Sequence, residues 1–139
     1  MLQISAKTDY GLLLMTALAA SSENRPISLK QIARERRLPY RFLSQIAMLL
    51  RHAGLIEAKE GAGGGYRLTR PAKRISVAAV LGALEGDLQL VRCHEHDEAA
   101  DCPVAASCTL SPLWTGVSKR LAKAFGGMTI ADLAQKVES

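Results

Sequence analysis

Three cysteines, Cys93, Cys102 and Cys108, are the residues of this 139-residue chain best suited to chemistry. Eight residues separate the first two and five separate the second two, so all three fall within one short segment. An odd number of clustered cysteines does not match a disulfide framework, in which cysteines pair along the chain. In a reducing compartment, clustered thiols more often bind a metal or respond to oxidation. The pattern therefore indicates a metal or redox site.

Four kinds of site fit these thiols: an iron–sulfur cluster, a metal-free thiol switch, a zinc site and buried inert cysteines. Zinc could use the cysteines with His94 or His96, but their spacing lacks the paired C-x2-C units of structural zinc sites. Inert cysteines normally lie in apolar segments, whereas Cys93 and Cys102 lie among histidine and acidic residues. We rank the cluster first, the thiol switch second and zinc third.

Three thiolates leave an iron–sulfur cluster one ligand short of the usual four. The remaining iron then needs a carboxylate, an imidazole, water or a small thiol, and it is easier for oxygen, nitric oxide or iron scarcity to attack. Such a cluster suits a sensor better than an electron carrier. The chain also has no flavin or nicotinamide motif, which disfavours an iron–sulfur electron-transfer protein or an enzyme.

Before the cysteines, apolar residues recur at helical spacing in three segments. Thr8 is the predicted N-cap of the first helix, Ser28 caps a short second helix, and Pro39 is predicted as the first residue of the third. The third helix is predicted to bury one face, formed by Leu43, Ile46, Ala47 and Leu50. Two short helices joined by a turn at residues 37–39 predict a helix-turn-helix unit.

Residues 55–60 and 66–69 are predicted to form two strands joined by a glycine-rich tip, because glycine tolerates positive φ. A hairpin directly after a helix-turn-helix is a wing. The glycine run does not match a nucleotide-binding loop, since strands flank it and no Lys-Ser/Thr pair follows. Ser76 is predicted to cap a fourth helix that ends at Gly86.

The net charge of +5 and a pI near 9.4 indicate a polyanionic partner, either nucleic acid or an anionic membrane surface. No apolar run approaches the roughly 20 residues that cross a bilayer. The N-terminal residues lack the pattern of a secretory signal peptide. We therefore expect a cytoplasmic protein without a membrane partner.

The helix-turn-helix favours double-stranded DNA, because the second helix of such a unit enters the major groove N-terminal end first. On that helix, the residues predicted at base edges or adjacent phosphates are Tyr40, Arg41, Ser44 and Gln45. The predicted backbone contacts are the basic residues around it, namely Lys30, Arg34, Arg36, Arg37 and Arg51, with Lys59 and Arg67 on the wing. Each could be an ordinary solvated charge, but charge, helix spacing and hairpin together favour DNA.

Residues 92–111 show neither helical nor strand periodicity, which is typical of a functional or disordered loop. A helix is predicted after Pro112, and Thr129 is predicted to cap a short last helix. We expect a mainly α fold: a winged helix-turn-helix DNA-binding domain with a two-stranded β-wing over residues 1–86. Residues 87–139 would then form the cysteine loop and the C-terminal helices.

Four segments of the chain resemble the IscR/NsrR/RirA family of bacterial winged-helix regulators, which carry iron–sulfur clusters. They are the opening Ile4–Gly11, the wing Gly63–Tyr66, the segment Ile75–Val77 leading to Leu84–Gly86, and the three-cysteine loop. They occur in the family's order over nearly the whole chain. The resemblance implies a homodimer, with the helix after the cysteine loop as its dimerisation helix, and a palindromic operator.

The resemblance also implies a ligand set. Cys93, Cys102 and Cys108 match the family's cluster cysteines, and Asp9 matches the aspartate that supplies a fourth ligand from the partner subunit in the nitric-oxide-sensing branch. Asp9 could equally serve as a negative charge in the first turn of a helix. Ser111 occupies the place of the ligand histidine of the IscR branch, so Asp9 without that histidine favours a 4Fe–4S over a 2Fe–2S cluster.

Two further departures affect the comparison. The first cysteine interval is longer than in the IscR and NsrR patterns, and Glu60 stands where the IscR branch has a wing arginine. We expect a repressor of genes for iron–sulfur assembly, iron uptake or nitrosative stress, whose cluster senses iron, redox state or nitric oxide and shifts the wing and recognition helix. The alternatives are a metal-free thiol-switch regulator and an iron–sulfur electron-transfer protein.

Overall fold

The computed structural model describes residues 4–86, 104 and 107–138. Cys93, Cys102, His94 and His96 lie outside this part of the chain. Within it, six helices and one two-stranded sheet follow one another along the sequence. They are α1 (Ala6–Ala19), α2 (Leu29–Arg36), α3 (Tyr40–His52), β1 (Ile56–Lys59), β2 (Gly65–Leu68), α4 (Val77–Glu85), α5 (Ser111–Gly126) and α6 (Ile130–Glu138). Short 3₁₀ turns occupy Ser22–Asn24 and Ala72–Arg74.

Serine side chains cap three of the four helices of the winged region (residues 4–86), namely α1, α2 and α4. The hydroxyl of Ser28 accepts from the backbone N–H of Gln31 at 3.1 Å, and that of Ser76 accepts from Ala79 at 3.0 Å, which confirms both predicted caps. Thr129 and Asp132 cap α6 reciprocally, each side chain accepting from the other's backbone N–H.

The predicted start of α1 is wrong. Ser5, rather than Thr8, is the N-cap, and its hydroxyl accepts from the Thr8 backbone N–H at 3.4 Å. Thr8 lies inside the helix and is fully buried, and its hydroxyl donates to the carboxylate of Glu85. Pro39 is likewise the N-cap of α3 and not its first residue, so α3 begins one residue later than predicted.

The core lies where α1, α3 and α4 meet. The predicted inner face of α3 is confirmed: Leu43, Ile46, Ala47 and Leu50 are all buried. Apolar side chains of α1 and α4 cover this face, with Leu14, Leu18, Val80 and Leu84 among the buried residues. Since aromatic residues are only 4% of the chain, aliphatic side chains supply almost all of this apolar burial.

The last helix packs against the same core. Ile130 of α6 is fully buried, and its backbone N–H donates to the carbonyl of Ile75 at 2.9 Å. The Val77 N–H donates to the Met128 carbonyl at 2.8 Å, so the residues before α4 and before α6 form a short bridge. The C-terminal helix is therefore joined to the winged region by backbone pairing as well as by apolar contact.

The wing is an antiparallel hairpin whose register runs from Ile56 opposite Leu68 to Lys59 opposite Gly65. Its second strand also pairs with the residue just before the N-cap of α2: Ile27 and Tyr66 exchange two backbone hydrogen bonds, of 2.9 and 2.8 Å. Gly65 lies so close to this segment that an added Cβ would be 2.3 Å from the Ile27 carbonyl carbon. Only glycine fits there. The helices α2 and α3 followed directly by this hairpin confirm the predicted winged helix-turn-helix fold.

Candidate nucleic-acid interface

The outer face of α3 carries the residues predicted to meet DNA bases. Arg41 and Gln45 are exposed on it, and Tyr40 is 45% exposed at its N-terminal end. Ser44 is half-buried, and its hydroxyl donates to the Tyr40 carbonyl at 3.1 Å, so in the free protein it serves the helix backbone. The α3 sequence contains no acidic residue, which keeps this face attractive to a polyanion.

The turn between α2 and α3 is held by a left-handed residue. Arg37 has φ +56°, and the Leu38 N–H donates to the Ala33 carbonyl at 2.9 Å. This conformation ends α2 abruptly and lets α3 start three residues later. Lys30 of α2 reaches across the turn, with its Nζ 6.0 Å from the centre of the Tyr40 ring, at the outer limit of a cation–π contact.

The two predicted wing contacts differ in their surroundings. Arg67 Nε donates to Glu57 Oε1 at 2.6 Å across the hairpin, so this arginine already has an anionic partner. Lys59 is exposed and has no ion-pair partner among the described residues. The same holds for Lys30, Arg41 and Arg51 within that part of the chain. These four cations are therefore more available than Arg67 to bind phosphates.

The metal-site residues are only partly described. Cys108 carries a free, half-buried thiol three residues before α5 begins. Asp9 is exposed in the first turn of α1, at the edge of a cavity of about 460 Å³ formed mainly by α1 side chains and Leu133 of α6. Among the described residues, no three His, Cys, Asp or Glu side chains converge. Cys93 and Cys102 lie outside them, so the ligand set stays a prediction.

Two polar contacts of the winged region did not emerge from the sequence. Thr8 and Ser5 both donate to Glu85 Oε1, joining the start of α1 to the end of α4. Asn24 pairs with both backbone groups of Leu68, which lies 44 residues away. The only sequence signals are a hydroxyl residue inside an apolar helix and an asparagine in a turn, and neither identifies its partner.

In the described part of the chain, no helix combines the length and the apolarity needed to span a bilayer.

Comparison with known proteins agrees with this architecture. The sequence matches the Rrf2 family, described as iron-dependent transcriptional regulators, over residues 4–136. It is 29% identical over 137 residues to the HTH-type transcriptional regulator IscR of Vibrio atlanticus, an alignment that covers 99% of this chain and 78% of that protein.

Two solved structures are similar in fold. One is CymR (YrzC), the global cysteine regulator of B. subtilis, with a TM-score of 0.78 at 33% identity over 98% of both chains. The other is T. potens IscR, with a TM-score of 0.78 at 30% identity over 98% of this chain and 88% of that one. These relatives are regulators and not enzymes. The chain therefore belongs to the Rrf2 family and is a DNA-binding transcription regulator.

Proposed function

We propose that this protein is a cytoplasmic repressor that binds a palindromic operator as a homodimer, with an affinity controlled by an iron–sulfur cluster. The observation that carries the proposal is the similarity to IscR regulators over nearly the whole chain, together with three thiols clustered between residues 93 and 108. The thiol of Cys108 supports it, since that sulfur forms no disulfide within the part of the chain that the structure describes.

The donor set fits such a cluster. Cys93, Cys102 and Cys108 would supply three thiolates, and Asp9 of the partner subunit would supply a carboxylate. Asp9 is exposed, as a ligand offered to another subunit must be. When bound, the cluster would supply an iron with one weak, non-thiolate ligand, which oxygen, nitric oxide or a chelator can attack. A 4Fe–4S cluster fits better than a 2Fe–2S cluster, because Ser111 occupies the place of the ligand histidine of the IscR branch and Asp9 remains as the fourth ligand.

The homodimer explains an exposed apolar surface. Leu110 is 54% exposed and Leu113 is 51% exposed, at the start of α5, and Val104 is also exposed. Large apolar side chains that a protein leaves exposed are candidates for a protein contact when they form a patch. Because Cys108 lies only two residues before Leu110, the proposed cluster would lie beside the dimer contact, where its loss can alter the placement of the two DNA-binding regions.

The proposed DNA contacts are divided between α3 and its surroundings. Tyr40, Arg41, Ser44 and Gln45 would read the major groove, while Lys30 and Arg51 would bind phosphates. Lys59 and Arg67 would reach DNA from the wing, Arg67 only by leaving Glu57. To change the operator from mostly bound to mostly free, the two cluster states must differ in DNA affinity by roughly 5 kcal/mol.

A metal-free thiol switch is the second candidate. It is favoured by one observation: the fold is as similar to a global cysteine regulator as to an IscR, with TM-scores of 0.78 for both. In that case, oxidation of the same three thiols would change DNA affinity without iron.

The test is a visible spectrum with iron and sulfide assays on protein purified without oxygen. We expect a coloured protein that contains iron and sulfide. The Cys102→Ala and Cys108→Ala variants should lose the colour, the iron and the sulfide. Ser111→Ala is the matched control and should keep its iron, because that residue is not in the proposed ligand set. A wild-type protein that stays colourless after reconstitution, with DNA affinity changed by thiol oxidants, would favour the thiol switch.

A further inference from the structure

We infer that Asn24 is a positioning residue for DNA binding: its side chain holds the wing at a fixed angle to the helix-turn-helix. The inference rests on the proposed contact of the wing with DNA. Asn24 itself lies in the 3₁₀ turn between α1 and α2, and it is not among the predicted DNA contacts.

The Asn24 amide imitates a peptide group of a neighbouring strand. Its Nδ2 donates to the Leu68 carbonyl at 2.8 Å, and its Oδ1 accepts from the Leu68 N–H at 3.2 Å. Leu68 is the last residue of β2, is buried, and pairs with Ile56 of β1 on its other side. An asparagine side chain is suited to this role, since one amide both donates and accepts.

The backbone at this point is adapted to present that amide. Asn24 has φ +53° and Glu23 has φ +54°, in the left-handed region that asparagine tolerates better than most residues. Three residues later, Ile27 makes its two backbone hydrogen bonds to Tyr66, and Gly65 packs against the same peptide. The wing strand β2 is therefore held at three successive points by the segment that leads into α2.

This attachment has a consequence for affinity. The clamped segment ends at Ser28, the N-cap of α2, so these hydrogen bonds tie the orientation of the wing to that of the helix-turn-helix. Lys59 on the wing and Arg41 on α3 would then engage DNA together at a lower ordering cost. Without the Asn24 amide, β2 keeps β1 and the Ile27 bridge but loses its anchor at Leu68, at the base of the hairpin.

The test uses Asn24→Gly and Asn24→Asp in the full chain, with Glu23→Gly as the matched control. Glycine preserves the left-handed backbone and removes the amide. The control makes the same backbone change at an exposed side chain whose one ion pair among the described residues is with Arg25. Aspartate keeps the acceptor for Leu68 N–H but places an oxygen against the Leu68 carbonyl. The DNA probe is an operator selected from random sequence with the wild-type protein.

We expect Asn24→Gly to bind the operator about tenfold more weakly, because the wing must then be ordered as the protein binds. Asn24→Asp should weaken operator binding by a similar factor, and Glu23→Gly should weaken it by less than about twofold. In a Lys59→Ala background, where the proposed Lys59 contact is already absent, Asn24→Gly should weaken operator binding by less than about a further twofold. Amide exchange of Leu68 in the free protein should become faster in Asn24→Gly and stay slow in the control.

Three results would overturn the inference: wild-type affinity in Asn24→Gly, an equal loss with and without Lys59, or unchanged exchange of the Leu68 amide. If Lys59→Ala weakens binding while Asn24→Gly does not, only the role of Asn24 is wrong. If neither substitution affects binding while Arg41→Ala does, the proposed Lys59 contact is wrong, and the inference fails with it.

Discussion

Thr8 and Glu85 link the first and last helices of the winged region: Thr8 Oγ1 donates to Glu85 Oε1 at 2.6 Å. The Ser5 hydroxyl donates to the same oxygen. Glu85 is the final residue of α4, and the chain continues from it toward the cysteines, while Thr8 lies beside Asp9 at the start of α1. This contact therefore connects the two stretches of chain from which the proposed cluster ligands come.

Replacing Thr8 by valine tests the strength of this link. Valine has the same shape, so the substitution removes only the hydroxyl and leaves the packing of a fully buried side chain intact. We expect the free energy of unfolding to fall by about 1 kcal/mol, measured by urea denaturation. Thr8→Ser keeps the hydroxyl but removes a buried methyl. A loss of unfolding free energy that came only from packing would therefore appear in Thr8→Ser and not in Thr8→Val.

The pH dependence of stability should carry the signature of Glu85. The Ser5 hydroxyl above all, then the Thr8 hydroxyl and the charge of Lys7, hold the pKa of this carboxyl below its ordinary value, although partial burial opposes them. A carboxyl with a lower pKa in the folded state stabilises the fold above its unfolded pKa of about 4.3. That contribution is lost as the pH falls through the lowered value.

The measurement compares wild type with Glu85→Gln by urea denaturation between pH 7 and pH 3. We expect a stability difference that is constant from neutral pH to about pH 5 and shrinks below about pH 4. A difference independent of pH would mean that the ionised carboxylate is not what the two hydroxyls stabilise.

Arg37→Gly should separate stability from DNA binding. Arg37 occupies a left-handed position at the end of α2, where glycine is the preferred residue, so we expect a gain of about 0.5 kcal/mol in unfolding free energy. The same substitution removes a predicted phosphate contact, so operator affinity should fall. The slope of log affinity against log salt should decrease by about 1 for each arginine removed. An unchanged slope would remove Arg37 from the interface.

Arg41→Ala should weaken operator binding by roughly 10- to 100-fold, because Arg41 is exposed at the N-terminal end of α3 and can fork onto a guanine. Selection from random DNA should also lose the preference at one base pair of each half-site. Arg74→Ala removes the same charge from an exposed 3₁₀ turn outside the helix-turn-helix and serves as the control. Equal affinities of Arg41→Ala and wild type at several salt concentrations would contradict this role.

Local patterns in the sequence predicted most of the fold. The buried face of α3 follows from apolar residues at helical spacing. Ser28 and Ser76 predict the starts of their helices, because a capping hydroxyl bonds to the backbone only three residues ahead. The position of the wing follows from its glycine tip. Each of these features depends on neighbours within a few residues, which is why one sequence suffices to predict it.

The contacts that the sequence did not predict join distant residues. The apolar residues that follow Thr8 at helical spacing predict a cap there, but Ser5 caps α1, and Thr8 lies inside the helix, where its hydroxyl donates to the distant Glu85. Asn24 shows no local sign of its partner Leu68. Arg67 and Lys59 looked alike as wing cations, but the strand register places Glu57 opposite Arg67 alone.

The most direct test of the account is operator affinity measured on one anaerobic preparation, before and after the cluster is removed by a chelator or by nitric oxide. The account predicts a change of roughly three to four orders of magnitude in the wild-type protein, the scale of the roughly 5 kcal/mol that the switch requires. It predicts no change in a Cys108→Ala variant treated identically, because that variant has no cluster to lose. An affinity that is the same with and without iron, in a protein shown to bind iron and sulfide, would contradict cluster control.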